Sequence, residues 1–338
     1  MFSKLRLNYR FNITEFTGAL GDLGTLLPLS LALIMLNGLN PIRLFLLVGI
    51  FYILSGVFYR FPISIQPLKV AAVIAISMNL PPSTISAAGI LMGILMLTFA
   101  LTGGIDIIGR FFSTSIIRGI QLGVGLLLTA EGVRLALSPG IFLGDTLSST
   151  NFSKFINLGY HLPSFMDFIN AFIFLVLPQI PVTLGNAAFA ASDLARRYHK
   201  DRAAMATPKN LAVSMGVFNL TAGIFGAMPV CHGSGGIAAH YRFGARTGGA
   251  PIIMGVILLS VVFIFGHMVT SIISFVPLAL LGFLLITAGV QMLCLVLDLK
   301  KWRDAAVALL VAAVTGFTRN LALAITLGIF LRFILKLR

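Results

Sequence analysis

The sequence predicts an all-α polytopic membrane protein, an inverted repeat of about five plus seven segments with two broken half-helices. Three observations carry that prediction. First, of 338 residues 58% are hydrophobic and only 10% charged, with a mean hydropathy of +1.02. Several apolar runs approach or exceed the ~18–20 residues that span a bilayer, whereas a β-barrel would show alternating strands of about 10 residues. Second, the Gly-rich stretch at 228–239 has a second copy, weaker in sequence, at 61–72 near the front of the chain. Third, most Lys and Arg fall between apolar runs, as the positive-inside rule expects. The net charge of +14 therefore implies topology, and no nucleic-acid partner is expected.

The elements follow in order. The N-terminal MFSKLRLNYRFN is basic, and the run after it holds Asp22 and lacks a small-x-small cleavage site. It reads as a cytoplasmic tail before a retained first helix, not as a signal peptide. The first span covers about 14–36 and contains Gly18, Gly21, Asp22, Gly24 and Thr25; the second covers 42–59. Pro62-Ile63-Ser64-Ile65-Gln66-Pro67 is extended by its prolines and β-branched residues. It leads into a helix at 68–78 that is too short to cross alone, the mark of a broken segment. Spans at 86–101 and 111–137 complete the first half, residues 1–137. Residues 138–165, rich in Ser, Gly, Asn and Pro, form an exposed extracytoplasmic linker. The second half, 166–338, begins with a span at 166–194 containing PQIPVTLGN, followed by a basic loop with Arg196, Arg197, Lys200, Arg202 and Lys209. A span at 211–227, a broken segment at 229–244 and spans at 251–265, 272–297, 305–314 and 321–335 follow.

The repeat extends past its central motif. Pro62 aligns with Pro229 and Pro41 with Pro208, an offset of 167; Gly89–Leu97 aligns with Pro251–Leu259 at 162, and Leu23-Gly24 with Leu184-Gly185 at 161. Five segments in the first half make the second half inverted. With the N-terminus inside, counting spans puts the 196–209 loop, Arg242 and Arg246, Lys300-Lys301-Arg303 and the C-terminal Lys336 and Arg338 inside. The linker, with only Lys154, falls outside. The expected location is the plasma or inner membrane, multi-pass, with both termini cytoplasmic.

Two half-helices starting near the midplane aim their N-termini at one point, where unpaired N–H groups replace water around an anion. Gln66 and Lys69 head the first; His232, Gly233, Ser234, Gly235 and Gly236 head the second. The competing reading is that these glycines only permit close helix packing. Asp22 lies inside the first span, and an intramembrane carboxylate is a functional candidate by default, with a structural partnership to Lys69 or to backbone amides as the alternative. Gln179, Thr183 and Asn186 lie at matching depth in the second half, and Thr25 is one turn from Asp22. Glu131 and Arg134 are close to one turn apart, so pairing with each other is expected ahead of a transport role. Asp22, His232 and Glu131 are the candidates for proton coupling. Cys231 and Cys294, both in apolar surroundings, form no disulfide framework, and Cys231-His232 is not metal-ligand spacing. No Gly-x-x-x-x-Gly-Lys-Ser/Thr motif is present, so neither ATP nor any other cofactor is expected.

At these residues the chain resembles a known family. GALGDLGTLLPLSLAL (18–33), PQIPVTLGNA (178–187) and PVCHGSGGIAAHYRFGARTG (229–248) are similar to the signature stretches of the molybdate transporter family, a branch of the sulfate permease superfamily. The resemblance covers nearly the whole chain. It implies the sulfate and uracil permease fold, with a core domain carrying the half-helices and a gate domain. Those relatives have seven plus seven segments; here the sixth and seventh are replaced by the linker, and the chain leaves no room for the cytoplasmic regulatory domain of many sulfate permeases.

The function expected is secondary active transport of a tetrahedral oxyanion, molybdate first and sulfate as the alternative, by proton-coupled import. The partners are that anion, protons and the lipid bilayer, with a homodimer left open. Two readings from other classes compete with this one. An anion channel has the same sequence features. An intramembrane serine hydrolase would use Ser234, but His240 lies six residues on, roughly on the far side of a helix, and a nucleophile needs its base in reach.

Overall fold

Asn12 starts the first helix by accepting a hydrogen bond from the Glu15 amide, capping α1 (Ile13–Leu20). The computed structural model describes residues 9–105, 113–138, 140, 142, 162–266, 268–318 and 320–335. Residues 1–8 of the N-terminal tail, most of the 138–165 linker and the C-terminal Lys336 and Arg338 lie outside the described residues. After α1 the chain bends by 43° into α2 (Leu23–Asn37), so the single span read over 14–36 is two helices meeting at Gly21-Asp22. Gly21 explains the bend in part: a Cβ there would lie 2.8 Å from Phe243 and 3.1 Å from the Ala239 carbonyl. The chain is drawn against a later segment that only glycine allows so close.

Pro41, at the first turn of α3 (Pro41–Tyr59), needs no N–H there, and Asn40 accepts from the Arg43 amide. An extended stretch leads to β1 (Gln66–Pro67) and the short α4 (Lys69–Ser77). The helices α5 (Pro82–Thr102) and α6 (Thr114–Ala136) follow. The second half opens with α7 (Phe165–Ala203), 39 residues long, interrupted by π-helical stretches at Ala171–Val176 and Thr183–Ala190. Then come α8 (Pro208–Phe225), β2 (Val230–Cys231), α9 (Ser234–Arg242) and α10 (Gly249–Phe265). The span read over 272–297 is divided at Pro277 into α11 (Met268–Ser274) and α12 (Leu278–Leu293), because the residue before a proline avoids the helical region. Finally α13 (Trp302–Thr318) and α14 (Leu321–Ile334) run longer and slightly shorter, respectively, than their apolar cores suggested. Among the described residues five helices are long and apolar enough to cross a membrane, six if the bent pair α1 and α2 is counted as one span.

The packing repeats the sequence repeat. Helix α3 lies against α10, and α5 against α8: the second span of each half meets the fourth of the other, while α6 packs on α12. Equivalent residues make equivalent contacts. A Cβ on Gly49 would meet Leu259 at 3.0 Å; on Gly216, 167 residues later, it would meet Leu97 at 2.7 Å, and Leu259 is Leu97 displaced by 162. Gly56 abuts the Gly248 carbonyl and Ile252, and its equivalent Gly223 abuts the Ser86 carbonyl and Ile90. Such small-residue seams hold helices together where lipid offers no hydrophobic drive between them. A side chain forced into one would cost about 1–3 kcal/mol by overpacking.

At the centre, β1 pairs antiparallel with β2, Gln66 opposite Cys231 and Pro67 opposite Val230. An inverted repeat places its equivalent segments antiparallel, which is the pairing seen here. The Leu68 amide extends the ladder to the Pro229 carbonyl at 3.0 Å, and Asn219 of α8 clamps β2 through both the amide and the carbonyl of Val230. Backbone too irregular for lipid is thus buried in protein. Outward faces carry exposed apolar side chains such as Phe58, Phe263, Phe330 and Phe333, a surface suited to lipid and not to water.

Candidate anion site between two helix heads

Each half-helix presents its first amides at the centre of the protein. In α9 the Gly236 and Ile237 amides turn back to the Gly233 carbonyl, and those of Ser234 and Gly235 have no hydrogen-bond partner among the described residues. In α4 the Ala72 amide bonds the Leu68 carbonyl, the Ala71 amide is taken by Gln179 Oε1 at 3.1 Å, and those of Lys69 and Val70 have no partner among the described residues. Lys69 itself reaches from the first turn of α4 across to the head of α9. A Cβ built on Gly235 would sit 3.9 Å from its ammonium, and no carboxylate lies within ion-pair distance of it among the described residues. Gly235 and Gly24 are exposed, and a Cβ on Gly24 would meet nothing within 4 Å, so the space in front of α9 is open.

Helix α7 supplies the surrounding side chains. Pro178 and Pro181 remove two backbone donors, and the π-helical stretch that follows resets the register, a distortion often found at functional sites. Gln179 bonds both the head of α4 and Thr183 Oγ1, at 2.9 Å, while Asn186 accepts from the Ser234 hydroxyl at 2.5 Å. One helix therefore touches both heads.

Behind the heads lies Asp22, 1% exposed. Its carboxylate accepts from the Tyr52 hydroxyl and from Gln66 Nε2, and His240 Nε2 is 3.7 Å from its Oδ2. Gly236 is what lets α9 approach: a Cβ there would fall 2.6 Å from Asp22 Oδ1 and against Ser64. Gly233 likewise leaves the place that Gln66 Oε1 occupies. The charges can be summed. Each helix N-terminus acts as about half a positive charge and Lys69 adds one, giving about +2, less one for an ionised Asp22.

The sequence-selected residues thus divide. Asp22, Gln66, Lys69, Gln179, Thr183, Asn186, Gly233, Ser234, Gly235 and Gly236 converge on the two heads. Thr25 stands half-buried in the first turn of α2 and makes no side-chain hydrogen bond among the described residues. His232 is fully buried, its nitrogens engaged by the Ser64 carbonyl at 3.0 Å and Ser214 Oγ at 2.7 Å, so it ties β2 to α8. Glu131 forms a two-pronged pair with Arg134 on α6, away from both heads. Ser234 and His240 do not face each other: His240 Nδ1 donates to the Gly18 carbonyl at 2.8 Å. Reading the residues singly missed Tyr52 and the pairing of His240 with Asp22. A signal existed for Tyr52, which stands at offset 167 from Asn219, the clamp of β2.

A family described as "Molybdate transporter of MFS superfamily" matches residues 14–128 and 171–292, well over half of the chain. The chain belongs to the molybdate transporter family. Among members, Molybdate transporter 2 of Arabidopsis thaliana is 29% identical, covering 96% of this chain and 88% of that protein. Molybdate transporter 1 of the same plant is 26% identical over 100% and 92%. Among solved structures, the transmembrane domain of a cyanobacterium bicarbonate transporter, BicA, superposes with a TM-score of 0.64 at 14% identity, covering 96% of this chain and 98% of that one. The murine SLC26A9 anion transporter gives 0.58 at 15% identity, over 97% and 69%. These likenesses establish the sulfate-permease fold for this member of the molybdate transporter family, and the proteins it matches are transporters, not enzymes.

Proposed function

We propose that this protein is a secondary transporter that brings molybdate across the cell membrane together with protons. The observation that carries the reading is the convergence of Lys69 with the unpartnered amides of α4 and α9 beside an open space, in a chain whose relatives are named for molybdate. A tetrahedral dianion presents oxygens in several directions at once, which suits donors arriving from two helix heads and from Ser234. In the low dielectric between helices, these fixed donors stand in for its hydration shell.

Coupling follows from two sums. A dianion entering against 100 mV, inside negative, costs about 4.6 kcal/mol, at about 2.3 per charge, and one accompanying proton halves that. Within the site, an ionised Asp22 lowers the local charge from about +2 to about +1, and a proton there restores the match to a dianion. We place the 195–209 loop and both termini in the cytoplasm, from the Lys and Arg they carry, with residues 1–137 and 166–338 as the two repeats.

Purified protein in proteoliposomes, given labelled molybdate with and without excess sulfate, tests the reading. Accumulation driven by an acid exterior and abolished by a protonophore is expected, with molybdate preferred. Transport of sulfate with no uptake or exchange of molybdate would overturn it.

A further inference from the structure

We propose that His240 is where the coupling proton is held, as an imidazolium paired with Asp22. The assignment rests on the proton-coupled reading above and names the group that reading lacks.

The geometry of the two ring nitrogens makes the case. Nδ1 faces a carbonyl, Gly18 O at 2.8 Å, which can only accept, so Nδ1 carries hydrogen in either charge state. Nε2 is buried and has no hydrogen-bond partner among the described residues. It faces Asp22 Oδ2 at 3.7 Å, with both side chains 0% exposed. In a neutral ring this sets a nitrogen lone pair against a carboxylate, two acceptors in a dry interior. One proton on Nε2 turns the same arrangement into a charge-assisted N–H···O⁻ pair. Asp22 is the poorer seat for the proton because both its oxygens already receive donors, from Tyr52 and Gln66. His240 Nε2 is the acceptor left unfilled.

Among the described residues the other ionisable groups around His240 are engaged elsewhere or lie farther off. On α1, buried Glu15 takes the Arg246 amide at 3.0 Å. The Arg246 guanidinium folds over the Tyr241 ring, 3.8 Å from its centre, and bonds the Tyr241 and Ala245 carbonyls. From α7, His199 and Arg202 lie near enough for His199 to interact electrostatically with His240, Arg202 and Arg246. Arg242 is exposed on the same helix, and Lys69 feels Asp22 from the far side. Asp22 is the carboxylate in contact with the ring.

Position completes the argument. His240 lies six residues beyond Ser234, about 9 Å along the helix from the anion space, toward the end of α7 that packs on α9. The proton is therefore bound behind the anion and felt by it through Asp22: with Nε2–H present the carboxylate is neutralised and the helix heads regain their full charge. Binding of anion and proton must then favour one another equally.

The test counts protons taken up from solution per molybdate bound, using a pH dye in weakly buffered, detergent-purified full-length protein at saturating molybdate. The parent should take up about one proton per anion over the range in which the pair titrates, and its molybdate Kd should tighten up to about tenfold for each unit of falling pH there. Two variants remove the titrating ring. His240→Asn keeps a donor for the Gly18 carbonyl, and His240→Gln keeps a polar atom toward Asp22, so loss of the fold in one leaves the other to be measured. Both should bind molybdate with proton uptake near zero and a flat pH profile. Parent-like proton uptake in either variant, or none in the parent, overturns the assignment to His240 while molybdate transport stands. Absence of molybdate binding by the parent overturns the functional reading and this assignment with it.

Discussion

Gly235→Val puts the proposed anion space to a quantitative test. In the unliganded protein a Cβ at this position meets only the Lys69 ammonium, at 3.9 Å, an ordinary contact. Valine and glycine differ by well under 1 kcal/mol in helix preference, so the fold should be kept. The added methyl groups instead occupy the approach to the Ser234 and Gly235 amides. Two charge-assisted hydrogen bonds worth about 1.5–3 kcal/mol each are then lost, roughly 3–6 in all. At 1.4 kcal/mol per decade that weakens molybdate by about 10²–10⁴-fold. Gly233 and Gly236 are worse places for this test. A Cβ there collides with Gln66 or with Asp22 and Ser64, so loss of binding and loss of packing would arrive together. Calorimetric titration of the purified variant, beside its thermal unfolding curve, is the assay. A folded Gly235→Val protein with a molybdate Kd within threefold of the parent would refute the placement.

The remaining predictions concern charge, coupling and orientation. Ser234→Ala removes one hydroxyl that already bonds Asn186 and should cost about 1 kcal/mol, roughly fivefold in Kd, by the same titration. Lys69→Gln removes a full charge and should weaken a tetrahedral dianion more than a monoanion of the same shape; equal losses would show that Lys69 does not face the ligand. Asp22→Asn should abolish accumulation driven by a pH gradient while retaining exchange of molybdate across the vesicle, and an unchanged pH dependence of uptake would make Asp22 structural. With the exposed Cys294 replaced by serine, cysteines at the exposed positions Leu162 and Ala204, beyond opposite ends of α7, should react with an impermeant reagent from outside and inside respectively; the reverse would overturn the proposed orientation.

Much of this fold was legible because its signals are local or periodic. Membrane length follows from apolar runs, and Pro41, Pro208 and Pro62 mark helix starts and extended backbone by removing donors. The repeat was legible because Gly49 and Gly216, or Gly93 and Gly255, must be small for the same seam. The bend at Gly21-Asp22 was not, since an apolar run looks continuous whether or not the axis turns, and it is α9 pressing on Gly21 that fixes it. Gln179, Thr183 and Asn186 stood out as polar residues at depth. The role of His240 did not, because its ring is defined by Gly18 and Asp22, more than 200 residues away in sequence. Conversely, His232 stood out by adjacency to the glycines, yet its two nitrogens belong to the join between β2 and α8.

The most direct measurement is the position of the anion itself. Molybdenum scatters X-rays anomalously, so a crystal of the full chain grown with molybdate can locate it without reference to any side chain. The account predicts one strong anomalous peak in front of α9, within contact of the Lys69 ammonium and of the Ser234 and Gly235 amides. A peak elsewhere in the protein, with that space empty at saturating molybdate, would contradict it.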